Sequence, residues 1–499
     1  MYMGLSAYFG CFRLAPSVPV AVALRLQLIF FGDHILHTFA SAEIFSSTIS
    51  SGYAHTCAVI YGGELKCWGR NSFGVLGTGD SRDYGGSPQS LPLVSLPTVR
   101  LGEYAVQEVA ASSNEHACAL SDGSVKCWGG NSKGQLGLED TISRGEEATD
   151  LGNALEVVNL GVGAVQVCVG QEHSCALLKD LTVKCWGDNS FGQLGLGDTA
   201  PRGTAPGSMG DVLPKVELPS GRVAHAVVCG YHHTCALLND GNLVCWGLGR
   251  FGRLGTGSEN SVGGSPGEMG DSLVAVNFGA GATVVQAAAG EMFTCALLDY
   301  GVVVCFGRND KGQLGIDSTD NRGGGPGGLS AVVLNTTYGS RPARIFAGGE
   351  HACVILNGGG LRCWGRNDFG QLGTGDRLFV GTAPGDMLGL GDVDLGAGVA
   401  AVSVGAGFEH TCVLLNSGAL KCFGRGGFGA LGYDDARDRG VSGSTIGDAL
   451  PAVALGAAVA LPELQEVNPM IPPPPPPPPP PSHPSPPLQR PPPPPPPPP

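Results

Sequence analysis

The sequence predicts an all-β protein: a seven-bladed β-propeller with about four antiparallel strands per blade, followed by a disordered polyproline II tail. Three observations carry this. One block of sequence returns seven times at a period near 60 residues, each block reads as short strands joined by tight turns, and 23 of the 38 prolines fall within residues 469–499. A fixed period of this length marks a repeat architecture, and 82 glycines in 499 residues supply the turns that a β-rich repeat needs.

At the amino end, Arg13 precedes an apolar stretch from Ala15 to Phe31, and Ala40-Ser41-Ala42 has the small-x-small form that signal peptidase cuts. Arg25, Gln27, Asp33 and His34 interrupt it, so residues 1–43 read as a signal or a disordered leader and no transmembrane segment is expected.

The repeats occupy 44–461. The first reads His55-Thr56-Cys57-Ala58-Val59, then Lys66-Cys67-Trp68-Gly69, then Gly74-Val75-Leu76-Gly77, and the three pieces recur six more times. The aromatic-Gly step falls at Trp68, Trp128, Trp186, Trp246, Phe306, Trp364 and Phe423, which accounts for all five tryptophans and makes these the expected blade-packing aromatics. Alternation such as Val-Lys-Cys-Trp indicates strands, and Asp122-Gly123 or Asn239-Asp240-Gly241 marks a hairpin. Further strands are expected before each His-x-Cys and after each Gly-x-Leu-Gly, as at Leu213 to Leu218. No such unit can bury both faces alone, so seven close into a ring.

Seven in-register copies of aromatic-Gly followed by Gly-x-Leu-Gly resemble the regulator of chromosome condensation repeat family over about four-fifths of the chain. The resemblance implies a seven-bladed propeller and, as one activity of the family, guanine-nucleotide exchange on a Ran-type small GTPase. The family's light-sensing members use tryptophans beyond the repeat position, and none is spare here, so light sensing is not expected. The cysteine pairs, the Gly-rich stretches after Gly-x-Leu-Gly and the proline tail depart from the exchange factors.

Fourteen of the 17 cysteines form seven pairs: Cys57 and Cys67, Cys118 and Cys127, Cys175 and Cys185, Cys235 and Cys245, Cys295 and Cys305, Cys353 and Cys363, Cys412 and Cys422. The spacing is nine where the turn has two residues and ten where it has three, so both lengths put the two cysteines opposite each other, about 4.5 Å apart at Cα in a non-hydrogen-bonded pair. Cross-strand disulfides and an oxidising compartment follow. Two other readings compete. His55, His116, His173, His233, His351 and His410 stand two residues before the first cysteine, which suggests zinc; but that gives three ligands rather than four, and the fifth copy keeps both cysteines while replacing the histidine by Phe293. Reduced, buried cysteines would not need to oppose each other in every copy. No metal is expected. Cys11, Cys168 and Cys229 are left over and read as buried thiols, Cys11 unless it is removed with a signal.

A nucleophile site should occur once, whereas these histidines repeat, so they read as packing residues; no phosphate-loop ending follows the glycines, and neither catalysis nor a cofactor is expected. Asp80, Asp140, Asp198, Asp376 and Asp435 share a register after Gly-x-Leu-Gly, with Asp317 and Asp434 one residue earlier, giving either an acidic face for a basic partner or solvated turn residues. A net charge of −14 without a basic block argues against nucleic acid. The expectation is a non-catalytic binding or scaffold propeller, extracellular or cell-wall associated, that engages protein or glycan through its loop faces. The proline-rich tail (462–499) resembles hydroxyproline-rich cell-wall segments and is suited to docking aromatic-grooved domains or wall components. The alternative is a Ran-type exchange factor in cytoplasm or nucleus.

Overall fold

The computed structural model describes residues 44–45, 47–87, 92–325, 328–335, 340–462 and 464–465. The leader up to residue 43, with Cys11, and the tail beyond Gln465 lie outside the described residues. Seven antiparallel sheets follow one another along the chain, each built as inner, middle and outer strand. In blade 3 these are Ala164–Val169, His173–Leu178 and Val183–Gly187. The inner strands of all seven blades line one central cavity of about 300 Å³. No helix among the described residues is long and apolar enough to cross a membrane.

All six positions of every middle strand are buried, from His55–Ile60 in blade 1 to His410–Leu415 in blade 7. Each blade is covered on both faces by its neighbours, which is why these strands read as near-continuous apolar runs and do not alternate. The hairpin registers match the turn lengths. Asp122 and Gly123 both take positive φ (45° and 83°), as a two-residue type I′ turn requires, and Cys118 stands opposite Cys127; the three-residue turn of blade 4 sets Cys235 opposite Cys245.

The blades are three-stranded, not four-stranded. The segment after each Gly-x-Leu-Gly loop makes one ladder bond to the outer strand, from the N–H of Val99, Val158, Val216, Val276, Val332, Val393 and Val453. In three copies the residue two positions earlier, where the next ladder N–H would stand, is Pro97, Pro214 or Pro451. Blades 4 and 5 have no proline there and add one bridge each, Val244 to Ala275 and Val304 to Ala331.

The ring is closed by the two ends of the repeat region. The inner strand of blade 1 is short, Ile49–Ser51, and the residue that opposes its Ile60, as Ala164 opposes Leu178 in blade 3, is Val459. Ala460 N–H donates to Val59 O (2.8 Å), Tyr61 N–H to Ala458 O (2.8 Å) and Val459 N–H to Gly418 O (2.9 Å). One strand is thus assembled from residues 458–460 and 47–51, and beyond it Ile44–Phe45 pairs antiparallel with Leu464–Gln465.

Candidate functional site: the blade junctions, the loop face and the channel

The glycine after each repeat aromatic lies at φ 99° to 121°, and a Cβ there would stand 2.3–2.6 Å from the carbonyl oxygen that precedes the middle strand. Only glycine allows that approach. The last glycine of each Gly-x-Leu-Gly (φ 63° to 75°) leaves a gap into which the aromatic ring of the next blade fits; at Gly195 a Cβ would meet the Trp246 indole nitrogen at 2.8 Å. The seven aromatics are completely buried at these junctions.

Five of the seven junctions carry a polar clamp of histidine and hydroxyl. In blades 3 and 4, Trp246 Nε1–H and Thr234 Oγ1–H both donate to Gln193 O (3.0 and 2.9 Å), and Thr234 Oγ1 lies 3.0 Å from His173 Nε2. Because the hydroxyl spends its proton on the carbonyl, His173 must donate from Nε2. The arrangement recurs with His116 and Ser174, His233 and Thr294, His351 and Thr411, and His410 and Thr56. Where Phe293 replaces the histidine, the facing residue is Ala352, so donor and acceptor are lost together. His55 keeps its ring but faces Ala117, and its Nε2 is without a partner. Burial depresses these imidazoles, to about 3 for His116, His173 and His410, about 4 for His55 and His351, and well below the usual value for His233. They are neutral structural groups, five of which turn Nε2 to a hydroxyl of the next blade.

The structure joins all seven cysteine pairs, with Cα atoms 4.0–4.1 Å apart and the cysteines 0–1% exposed. An eighth disulfide corrects the reading of Cys168 and Cys229 as buried thiols: they bond to each other across the junction of blades 3 and 4, and both are partly exposed on the inner strands.

The acidic register is built into turns. Asn71, Asn131, Asn189 and Asn367 each fold back to accept the Leu N–H of Gly-x-Leu-Gly and donate to Asp80, Asp140, Asp198 and Asp376. Arg82, Arg144, Arg202 and Arg439 pair with Asp80, Asp140, Asp198 and Asp435, which offsets the charge an acidic collar would need. Asp317 and Asp434, at positive φ one residue earlier, reach the next blade: Asp317 accepts the Gly385 and Met387 N–H groups, and Asp434 that of Leu93. Glu139 does the same for Met209 N–H.

Two features went unread in the sequence. The lysine of Val-Lys-Cys-Trp is a buried pin: Lys126 Nζ donates to Leu101 O and Gly152 O, and Lys184 Nζ to Leu160 O and Gly210 O. The second feature is the loop face beside the histidines. Glutamates immediately before His351 and His410 form an alternating ladder, Arg308–Glu350–Arg366–Glu409–Arg425. Five of the seven turns before Gly-x-Leu-Gly carry a phenylalanine, and two of these lie against the ladder. Phe73, Phe191 and Phe428 are 47%, 38% and 44% exposed, Arg366 and Arg425 stack on Phe369, and Arg308 and Arg250 stack on Phe251. Lys133 and Lys311 take the phenylalanine position in blades 2 and 5. Glu-His and Phe-Gly recurring in copy after copy was the available signal.

Fold and junctions together define a class: ring-closed seven-bladed β-propellers in which the loop after each blade seats an aromatic ring of the next. The chain belongs to the regulator of chromosome condensation (RCC1) family. The RCC1-like domain model matches residues 36–324, and RCC1 repeat models match 343–371, 359–414 and 401–430. It is similar to the ultraviolet-B receptor UVR8 of Arabidopsis thaliana, 29% identical over 395 residues, 78% of this chain and 79% of that one. It is also similar to the probable E3 ubiquitin-protein ligase HERC4 of Homo sapiens, 31% identical over 217 residues, 43% of this chain but 18% of the ligase. Prp20p of Saccharomyces cerevisiae, a solved structure with binding properties to Gsp1p and histones, shares the fold with a TM-score of 0.58 and 20% identity, over 79% of this chain and 86% of that one.

Proposed function

We propose that this protein is a non-catalytic binding propeller whose partner is a protein docking on the loop face. One observation carries the reading: Phe73, Phe191, Phe251, Phe369 and Phe428 occupy the same loop position in five blades, three of them more than a third exposed, and Phe251 and Phe369 lie against the Arg–Glu ladder of blades 5 to 7. Large apolar side chains set among arginines are the composition of protein-contact surfaces, where aromatic and Arg anchors dominate affinity. The repeated histidines are buried at the blade junctions and the repeated cysteines are joined in disulfides, so the binding chemistry falls to the loops. Eight disulfides favour an oxidising compartment, hence an extracellular or cell-wall setting with the proline-rich tail as spacer or docking strip.

Cross-linking intact protein in its native extract, with Phe73, Phe191 and Phe428 replaced together by alanine in a second sample, tests this. Partners held by the wild type and lost from a still-folded triple variant support the reading; equal recovery refutes it. The second reading, nucleotide exchange on a Ran-type GTPase, rests on the fold shared with Prp20p. Catalysed release of a fluorescent guanine nucleotide from a Ran-type GTPase would move it to the front.

A further inference from the structure

The Cys168–Cys229 disulfide differs from the other seven in position. The hairpin bridges lie within single blades and are sealed between neighbours, 0–1% exposed. Cys168 and Cys229 sit on the inner strands of blades 3 and 4, line the central cavity and are partly exposed. The Cys175 sulfur, bonded to Cys185, lies within 4.8 Å of both, and Cys175 stands directly opposite Cys168 in the sheet register. One wall of the channel therefore carries an open disulfide beside a sealed one.

We infer that Cys168–Cys229 is a thiol–disulfide exchange site for small thiols that enter the channel. Exchange requires a thiolate to reach a sulfur, so access decides which bridge reacts. A small dithiol attacks Cys229 Sγ as thiolate; the Cys168–Cys229 bond breaks, a mixed disulfide forms, and the Cys168 thiolate leaves and takes a proton from water. The second thiol of the reagent then displaces Cys229 and closes its own disulfide. Two electrons pass from the dithiol to the protein, and the covalent tie between blades 3 and 4 is released while the hairpin bridges stay shut. With a monothiol, a second molecule displaces Cys229 from the mixed disulfide and leaves as the oxidised dimer.

The test is a brief dithiothreitol pulse on folded protein at pH 8, an acid quench, alkylation and peptide mapping. Cys168 and Cys229 are expected to label at least tenfold faster than any hairpin cysteine. Labelling of hairpin cysteines at the same rate overturns the inference, as does labelling of Cys168 and Cys229 without reductant, which would mean that the bridge is not formed. The double variant Cys175→Ala/Cys185→Ala removes the neighbouring bridge: fast labelling of Cys168 and Cys229 must persist in it, and its loss would assign the reactivity to Cys175. On reduction of the wild type, amide exchange should rise in Ala164–Val169 and Ala224–Cys229 ahead of the other inner strands; a uniform rise across all blades would contradict local release.

Discussion

Replacing Ala117 by serine should stabilise the propeller by about 1–2 kcal/mol, because it completes the one clamp that has a histidine but no hydroxyl. His55 Nε2 is buried without a partner and Ala117 is completely buried opposite it. The equivalent serine of blade 3, Ser174, shows where the new oxygen would go: 3.0 Å from His116 Nε2 and 3.0 Å from Gln135 O. In blade 2 those partners become His55 and Val75 O, which already receives Trp128 Nε1–H at 2.8 Å. Two buried hydrogen bonds of about 0.5–1.5 kcal/mol net each, less the desolvation of one hydroxyl, give the stated range. The assay is a denaturant-midpoint comparison of four proteins: wild type, Ala117→Ser, His55→Phe and the double variant. His55→Phe copies what blade 5 does with Phe293, whose ring sits against Gly290 as the His173 ring sits against Gly170. Serine should help beside histidine and give no gain beside phenylalanine, a coupling of about 1 kcal/mol or more. If Ala117→Ser shifts stability equally in both backgrounds, the hydroxyl is not bonding the imidazole and the clamp argument fails.

Three other outcomes follow from the same geometry. The six buried histidines titrate near 6.5 when unfolded and lower when folded, five of them at about 3 to 4 and His233 well below its usual value, so the unfolded chain binds more protons and stability falls as pH drops from 6.5 towards 4, by up to about 1.4 kcal/mol per unit for each histidine. Glu108 and Glu291, raised by burial to about 8 and about 7, act in the opposite sense as pH rises above about 4.5 but are outnumbered, so melting temperature at pH 5 should lie well below that at pH 7; a flat profile would contradict neutral buried histidines. Removing residues 457–499 should abolish amide-exchange protection in His55–Ile60, whereas removing 466–499 should leave it intact. Cys235→Ala/Cys245→Ala should cost about 2–3 kcal/mol and Cys168→Ala/Cys229→Ala about 4, since the second closes a separation of 61 residues against 10; calorimetry that reverses this order would refute the loop-entropy account.

The parts of this structure that depend on a single repeat were readable in the sequence. Cys118 and Cys127 are one residue closer than Cys235 and Cys245 because Asp122-Gly123 is one residue shorter, and register follows from that local fact. What joins one blade to another was not readable. Cys168 and Cys229 occupy neighbouring but non-equivalent register positions, so no periodicity pairs them. Lys184 read only as one residue of the Val-Lys-Cys-Trp strand, and its two carbonyl partners, Leu160 and Gly210, lie 24 and 26 residues away outside the strands. The fourth strand was overread because Leu213 to Leu218 has strand composition, although Pro214 removes the donor that a second ladder bond needs. The Asp register was visible, but its arginine partners two or four residues on were not weighed.

The composite inner strand of blade 1 also sets an order of events during synthesis. Seven hairpins, each with its own short-range disulfide, can form in turn as they leave the ribosome, and every junction from blade 1 through blade 7 can then be packed in sequence. Residues 458–460 are made after all of them, so blade 1 waits with an unfilled edge until the final junction, Thr56 and Trp68 against Ala430 and His410, is in place. Until that moment the nascent protein is an open arc with two exposed sides, one at each end. A ribosome stalled anywhere in the last blade would release a chain with most of its disulfides made and no ring.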